Sequence, residues 1–182
     1  MKKVFILLFL CSIFHLRAQN DQEKLPWTSD SDLNWNHFKG KPGFNSRFKA
    51  NSATGILFSG KIGKIEGKSN LNFEVNSYFY PQLSWVDGNS KKEYLLGHER
   101  LHFDITELHA RILRKKLKEI NFDELNSDPK KVLDSVYEIV EKDRREMQTR
   151  YDRETNHSLN KEIEAKWRLF VEEQLSLKMI DQ

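Results

Sequence analysis

The chain has a single cysteine, Cys11, and it lies among the first eighteen of 182 residues, in a segment that reads as a leader. Once that segment is removed no thiol remains. Disulfide bracing, thiolate nucleophiles and zinc sites with cysteine ligands are therefore excluded for the rest of the chain, which its core must hold together, alone or with a metal. An excess of charge is missing too. Of 30 basic residues, Lys2, Lys3 and Arg17 fall in the first eighteen, which have no Asp or Glu, so 27 basic residues face 27 acidic ones in the remainder. A balanced chain lacks the concentrated basic excess that neutralises nucleic-acid phosphates or an anionic membrane surface. There is no internal repeat and no low-complexity tract. With 38% hydrophobic and 12% aromatic residues, the remainder is long and apolar enough for one sizeable core, so residues 19–182 are expected to form one domain.

Long apolar runs are scarce as well. Only Val4 to Phe14 qualifies, about half the roughly 20 residues a membrane-spanning helix needs. Preceded by Lys2 and Lys3 and followed by Leu16-Arg17-Ala18, it has the form of a signal peptide over residues 1–18. The expected destination is the periplasm or the exterior of a bacterium, with no stable membrane insertion after cleavage.

What is present changes character along the chain. Residues 20–43 are polar but carry Trp27, Trp35 and Phe38, as expected of a packed loop or short strand. From Phe44 to Trp85 apolar and polar residues alternate, with Ile56, Phe58, Ile62, Leu71, Phe73 and Val75 separated by polar positions, which predicts three or four antiparallel strands. Leu71 to Tyr80 is the clearest of them, and Pro81 ends it. After Asp87-Gly88 the period becomes helical. Leu101, Ile105, Leu108, Ile112, Leu117 and Ile120 form the stripe of a helix over about 92–119. Asp128-Pro129 opens a second helix, with Val132, Val136, Ile139, Val140 and Met147 facing inward, and a third runs from about Asn160 to Lys178 on Ile163, Trp167, Phe170, Val171 and Leu175. Strands first and helices after define an α+β fold, a small antiparallel sheet followed by a helical half.

The chemistry is concentrated in His98-Glu99-Arg100-Leu101-His102, an H-E-x-x-H on the first long helix. Four residues turn a helix by about 40° and advance it about 6 Å, so both imidazoles lean toward one point, as two ligands of one zinc ion must. Glu99 projects beside them as a general base toward water. Two histidines at the edge of an apolar stripe, left unpaired, would carry a desolvation cost. The third ligand is open between His37, His157, Glu124 and Glu141. His109 lies about 10 Å along the helix from His102, too far to share the ion. Asp104 and Glu107 point to the opposite side.

Three blocks, Ser84-Trp85-Val86, Leu95-Leu96-Gly97-His98 through Ile105, and Tyr151-Asp152-x-x-Thr155-x-His157 followed by Trp167, together resemble a family of bacterial secreted zinc-dependent proteases named for its H-E-x-x-H. The resemblance spans about Trp35 to Leu175. It implies a zincin-like metallopeptidase acting on peptide or protein, with Zn2+ held by His98, His102 and His157 and with Glu99 as catalytic base. Where that pattern has glycine after the last histidine, this chain has Ser158. On this reading Tyr151 is a candidate donor to the oxyanion, and Asp104, Asp152 or Thr155 would orient a ligand imidazole by accepting its second N–H. By analogy with zincins, the strand Leu71 to Tyr80 would receive an extended substrate along its edge. The rival reading is an exported protein that binds a metal or a partner without turnover.

Overall fold

The computed structural model describes residues 23–180 except 44, 45, 67, 126 and 127, and does not describe the side chains of 65 and 178–180. The signal peptide expected over residues 1–18 lies outside the described residues. Alternation builds the sheet as expected. Strand β1 (Leu25–Pro26) and strand β2 (Ala50–Asn51) are short, whereas β3 (Thr54–Ile65) and β4 (Lys68–Phe79) form a long antiparallel hairpin in register from Thr54 opposite Phe79 to Ile65 opposite Lys68. Directly after β3, Glu66 takes φ 51°. Even-numbered residues of β3 and odd-numbered residues of β4 share one face, which puts Ile56 and Phe58 beside Val75, Phe73 and Leu71 over the core.

β4 is the central strand of the order β1-β4-β3, and β5 (Trp85–Val86) pairs with β2 in a second, two-stranded sheet. The helical half consists of α1 (Glu93–Lys118), α2 (Pro129–Thr155) and α3 (Lys161–Ile180). The Asp128 carboxylate caps α2 by accepting from the Lys130 N–H at 2.9 Å, with Pro129 at the first position, where its missing N–H costs nothing.

α1 is the axis of the molecule, and its faces feed three apolar clusters. Leu96 and Phe103 pack with Leu33, Phe38 and Phe79. Ala110, Leu113 and Leu117 meet the hairpin and α2 through Ile56, Val75, Leu133 and Val140. Leu101 and Ile105 meet Tyr151, Trp167 and Val171 of α2 and α3. Each large side chain so buried contributes about 1.5–3 kcal/mol, so α1 is held from three sides and its histidines sit on a rigid element.

The structure corrects the sequence reading in three places. The polar stretch from Tyr151 to Ser158, expected from its sequence to lie between two helices, is helical through Thr155, because Tyr151 and Thr155 are fully buried on a continuation of α2. Leu71 to Tyr80 is a central strand, and none of its residues lines the cleft above the histidines. Ile139 and Phe170 face solvent, since Leu133 and Val140 on α2, and Trp167 and Val171 on α3, already fill the core-facing positions.

Candidate metal centre

His98 and His102, four residues apart on α1, turn their rings toward the same point, edge to face with centroids 5.0 Å apart. The third group there comes from α2. Oδ1 of Asp152 lies 2.9 Å from His102 Nε2 and 3.2 Å from His98 Nε2. Among the described residues His98, His102 and Asp152 form a cluster whose donor atoms all lie within 4.8 Å of one another. Burial disfavours a charged imidazole at His98, but hydrogen bonds to Asp152 and Glu164 outweigh it and raise the group to about 9. Burial would also raise Asp152, yet its bonds to His102 and His98 hold the carboxyl well below the usual carboxylate range. Three electron-pair donors converging in this way require positive charge between them, supplied by imidazolium protons or by a metal ion.

The far side of each imidazole is also fixed. His98 Nδ1 donates to Oε2 of Glu164, a fully buried carboxylate on α3, at 3.3 Å. The Tyr94 hydroxyl donates to the same oxygen at 2.9 Å. Burial and the Glu164 hydrogen bond push that phenol up to about 12, so it remains a donor. His102 Nδ1 meets Oε1 of Gln148, whose orientation follows from its Nε2 donating to Thr106 Oγ1 at 3.0 Å and to the His102 carbonyl at 3.2 Å. With Nδ1–H committed outward in both rings, Nε2 is the atom each presents inward. Outer acceptors of this kind orient metal-binding histidines and raise their basicity.

Glu99 stands beside this cluster, 3% exposed, and its Oε2 has no hydrogen-bond partner among the described residues. An unsatisfied buried carboxylate oxygen is costly, and here it borders a cleft of about 850 Å3 shared with His98, His102 and Asp152. The opposite wall is the segment from Phe48 to Ser52, which contains β2, and Ser52 Oγ there is likewise buried without a partner. The third wall is Asn156, His157 and Ser158, three consecutive residues at φ 48°, 50° and 68°.

The other sequence candidates fall in separate places. His157 lines the cleft, half exposed and packed on Phe48 with ring centroids 4.7 Å apart, and its Nδ1 is 3.8 Å from Asp152 Oδ1. Tyr151 is wholly buried, its ring stacked on His98 at 4.5 Å and its hydroxyl donating to the His98 carbonyl at 3.4 Å. It lies beneath the site and does not line the cleft. Thr155 donates to the carbonyls of Tyr151 and Asp152 and touches neither ligand imidazole. Asp104 is on the far side of α1, where Oδ1 accepts from Trp27 Nε1 at 2.8 Å. His37 Nδ1 accepts from the Asn34 N–H, Glu141 pairs with Arg144, and neither lines the cleft. His109 Nδ1 donates to the Ile105 carbonyl, one turn back along α1.

Sequence reasoning did not find Glu164 or Gln148. The signal was available as spacing. Gln148, Tyr151, Asp152 and Thr155 stand at i, i+3, i+4 and i+7 on one helical face, and Glu164, Trp167 and Val171 share another.

The fold and the cluster together define an α+β domain whose central helix presents two histidines, with an aspartate from its neighbour, to an open cleft. Residues 81–158 match the model of a family described as a bacterial protein of unknown function (DUF922). That stretch runs from the end of β4 through α1 and α2 to Ser158, and so contains the His-His-Asp cluster and Glu99. No curated protein and no solved structure matches the chain.

Proposed function

We propose that this protein is an exported zinc-dependent peptidase in which His98, His102 and Asp152 hold the ion and Glu99 is the general base. The observation that carries the reading is the unpartnered Glu99 Oε2, buried beside two imidazoles whose Nδ1 atoms are already bound and whose Nε2 atoms are presented inward. The donor set of two imidazoles and a carboxylate suits zinc. A bound zinc ion supplies Lewis acidity, polarising a carbonyl and lowering the pKa of water toward neutrality. Glu164 and Gln148 hold the imidazoles in the tautomer that offers Nε2. Glu99 takes the proton that the attacking water loses and passes it to the departing amine. A peptide lies between the segment from Phe48 to Ser52 and α1, where Ser52 Oγ is free to meet its backbone. His157 stands at the rim beside Asp152, in reach of the substrate.

Glu99→Gln tests the reading because it removes the base and keeps the ligands. The variant should bind one zinc per chain as the wild type does and lose casein or peptide-library cleavage by at least about 100-fold. Equal inertness of both proteins while both hold zinc would transfer the assignment to a binding protein without turnover. Less than about 0.1 zinc per chain after loading would remove the metal from either reading.

A further inference from the structure

The charges around the cleft are not balanced as the chain is. Arg47, Lys49, Lys92 and Lys161 line it, and among the described residues the only carboxylates lining it are Glu99 and Asp152, both belonging to the site. Among the described residues Arg47, Lys92 and Lys161 form no ion pair, and Lys49 reaches Asp87 only at 3.7 Å with its side chain largely exposed. Two of these cations occupy unfavourable helix positions. Lys92 is the N-cap of α1 and makes no side-chain cap, and Lys161 is the first residue of α3. A cation at a helix N-terminus opposes the helix dipole. The rule is kept by the Asp128 cap of α2 and by Lys115, Lys116 and Lys118 in the last turn of α1, but not by Lys130 and Lys131 in the first turn of α2, away from the cleft, where Lys130 pairs with Asp134. The acids in the first turn of α3 do not compensate, since Glu164 is turned inward to His98 and Glu162 pairs with Lys166. Lys161 is instead stationed over the Tyr94 ring, its Nζ 4.9 Å from the centroid. Cations that form no ion pair among the described residues, set at both helix ends that open on one cleft, point to a ligand there.

We propose that the cleft selects peptides bearing carboxylates next to the cleaved bond, either acidic side chains or a free C-terminal carboxylate. This rests on the peptidase reading for the nature of the ligand. Four cations in one concavity focus a positive potential that draws an anionic chain in and repels a basic one. The cations come from the Phe48 segment and from the N-terminal ends of α1 and α3, so they stand on more than one wall of the cleft that holds Glu99.

The test uses one core peptide flanked by Glu, Gln or Lys, each as free acid and as C-terminal amide. Cleavage is read with the zinc-loaded chain, and binding by fluorescence anisotropy with zinc-loaded Glu99→Gln. Glu-flanked peptides should exceed Lys-flanked ones by about tenfold or more in both readouts. The gap should narrow at about 0.5 M NaCl, where exposed charges are screened. It should collapse in the double variant Lys92→Glu, Lys161→Glu, whose new acids suit helix N-termini and so leave the fold intact. Preference for the free acid over the amide assigns the C-terminal carboxylate; preference among amides assigns side chains. Charge-selective binding without cleavage of any peptide would support the inference while removing the peptidase. Cleavage indifferent to flanking charge would keep the peptidase and overturn the inference, as would equal or undetectable binding of all the peptides.

Discussion

Asp152 Oδ1 and His157 Nδ1 stand 3.8 Å apart at the mouth of the cleft, but only the aspartate reaches both Nε2 atoms. Replacing each separates ligand from neighbour. Asp152→Ala should weaken zinc binding by about 100-fold or more, whereas His157→Ala should stay within about threefold of the wild type, since even residues that merely orient ligands alter affinity by 10–100-fold. Competition with a chromophoric chelator measures both. The reverse ranking would give the third position to His157, as the family resemblance implies. The backbone beside it supports a second substitution. Ser158 sits at φ 68°, the last of three residues in the left-handed region, where a side chain is strained and glycine is not. Ser158→Gly should therefore leave zinc binding unchanged and raise stability by up to about 1 kcal/mol, read from the urea midpoint at constant slope. A fall in stability would mean that the Ser158 side chain contributes more than its backbone strain costs.

Helix α1 joins the layers through a buried polar network as well as through its apolar faces. Glu107 Oε1 accepts from Arg111 at 2.9 Å and Arg114 at 2.9 Å, and Oε2 accepts from Ser77 of β4 at 2.6 Å. Arg111 goes on to the Leu175 carbonyl of α3, and Arg114 to the Val75 carbonyl of β4. Removing the one acid leaves two guanidinium groups without it, so Glu107→Ala should cost about 3–5 kcal/mol in chemical denaturation. A loss below about 1 kcal/mol would show water replacing the carboxylate. The sequence alone put Glu107 opposite the histidines, because helical geometry requires it, but contacts spanning 30 positions, from Ser77 to Glu107, and 64, from Arg111 to Leu175, carry no local trace. The same asymmetry runs through the fold. Helix starts were legible where local chemistry marks them, as at Asp128-Pro129. The end of α2 was not, because its apolar stripe stops at Met147 and the following turns are polar for a tertiary reason, with Gln148 and Asp152 half-buried against the histidines of another helix. Glu164 resembled the many solvated acids of α3 for the same reason. The H-E-x-x-H was legible because both ligand positions and the base lie within one and a half turns of one helix, whereas the residues completing the centre depend on how three helices pack.

The whole molecule makes the centre a matter of global stability. Its proposed ligands come from α1 and α2 and its outer acceptors from α2 and α3, so an ion held there ties all three helices together, in a chain whose single cysteine allows no internal disulfide. A ligand that binds only the folded state stabilises it by about 4 kcal/mol when present at 1,000 times its dissociation constant. For a domain of roughly this size each kcal/mol moves the midpoint by about 2–4 °C, so zinc loading should raise Tm by about 8–16 °C, and a chelator should reverse it. Calorimetry of the wild type, Glu99→Gln and the double variant His98→Ala, His102→Ala distinguishes this from nonspecific binding. The glutamine variant should retain the full shift, because it lacks only the base, and the double alanine variant should show none. A shift of the same size in the double alanine variant would place zinc elsewhere on the chain, and a wild-type shift below about 1 °C would mean that no ion links these helices. Because the unfolded chain keeps its histidines and can bind some zinc, the observed shift should fall at or below this range rather than above it.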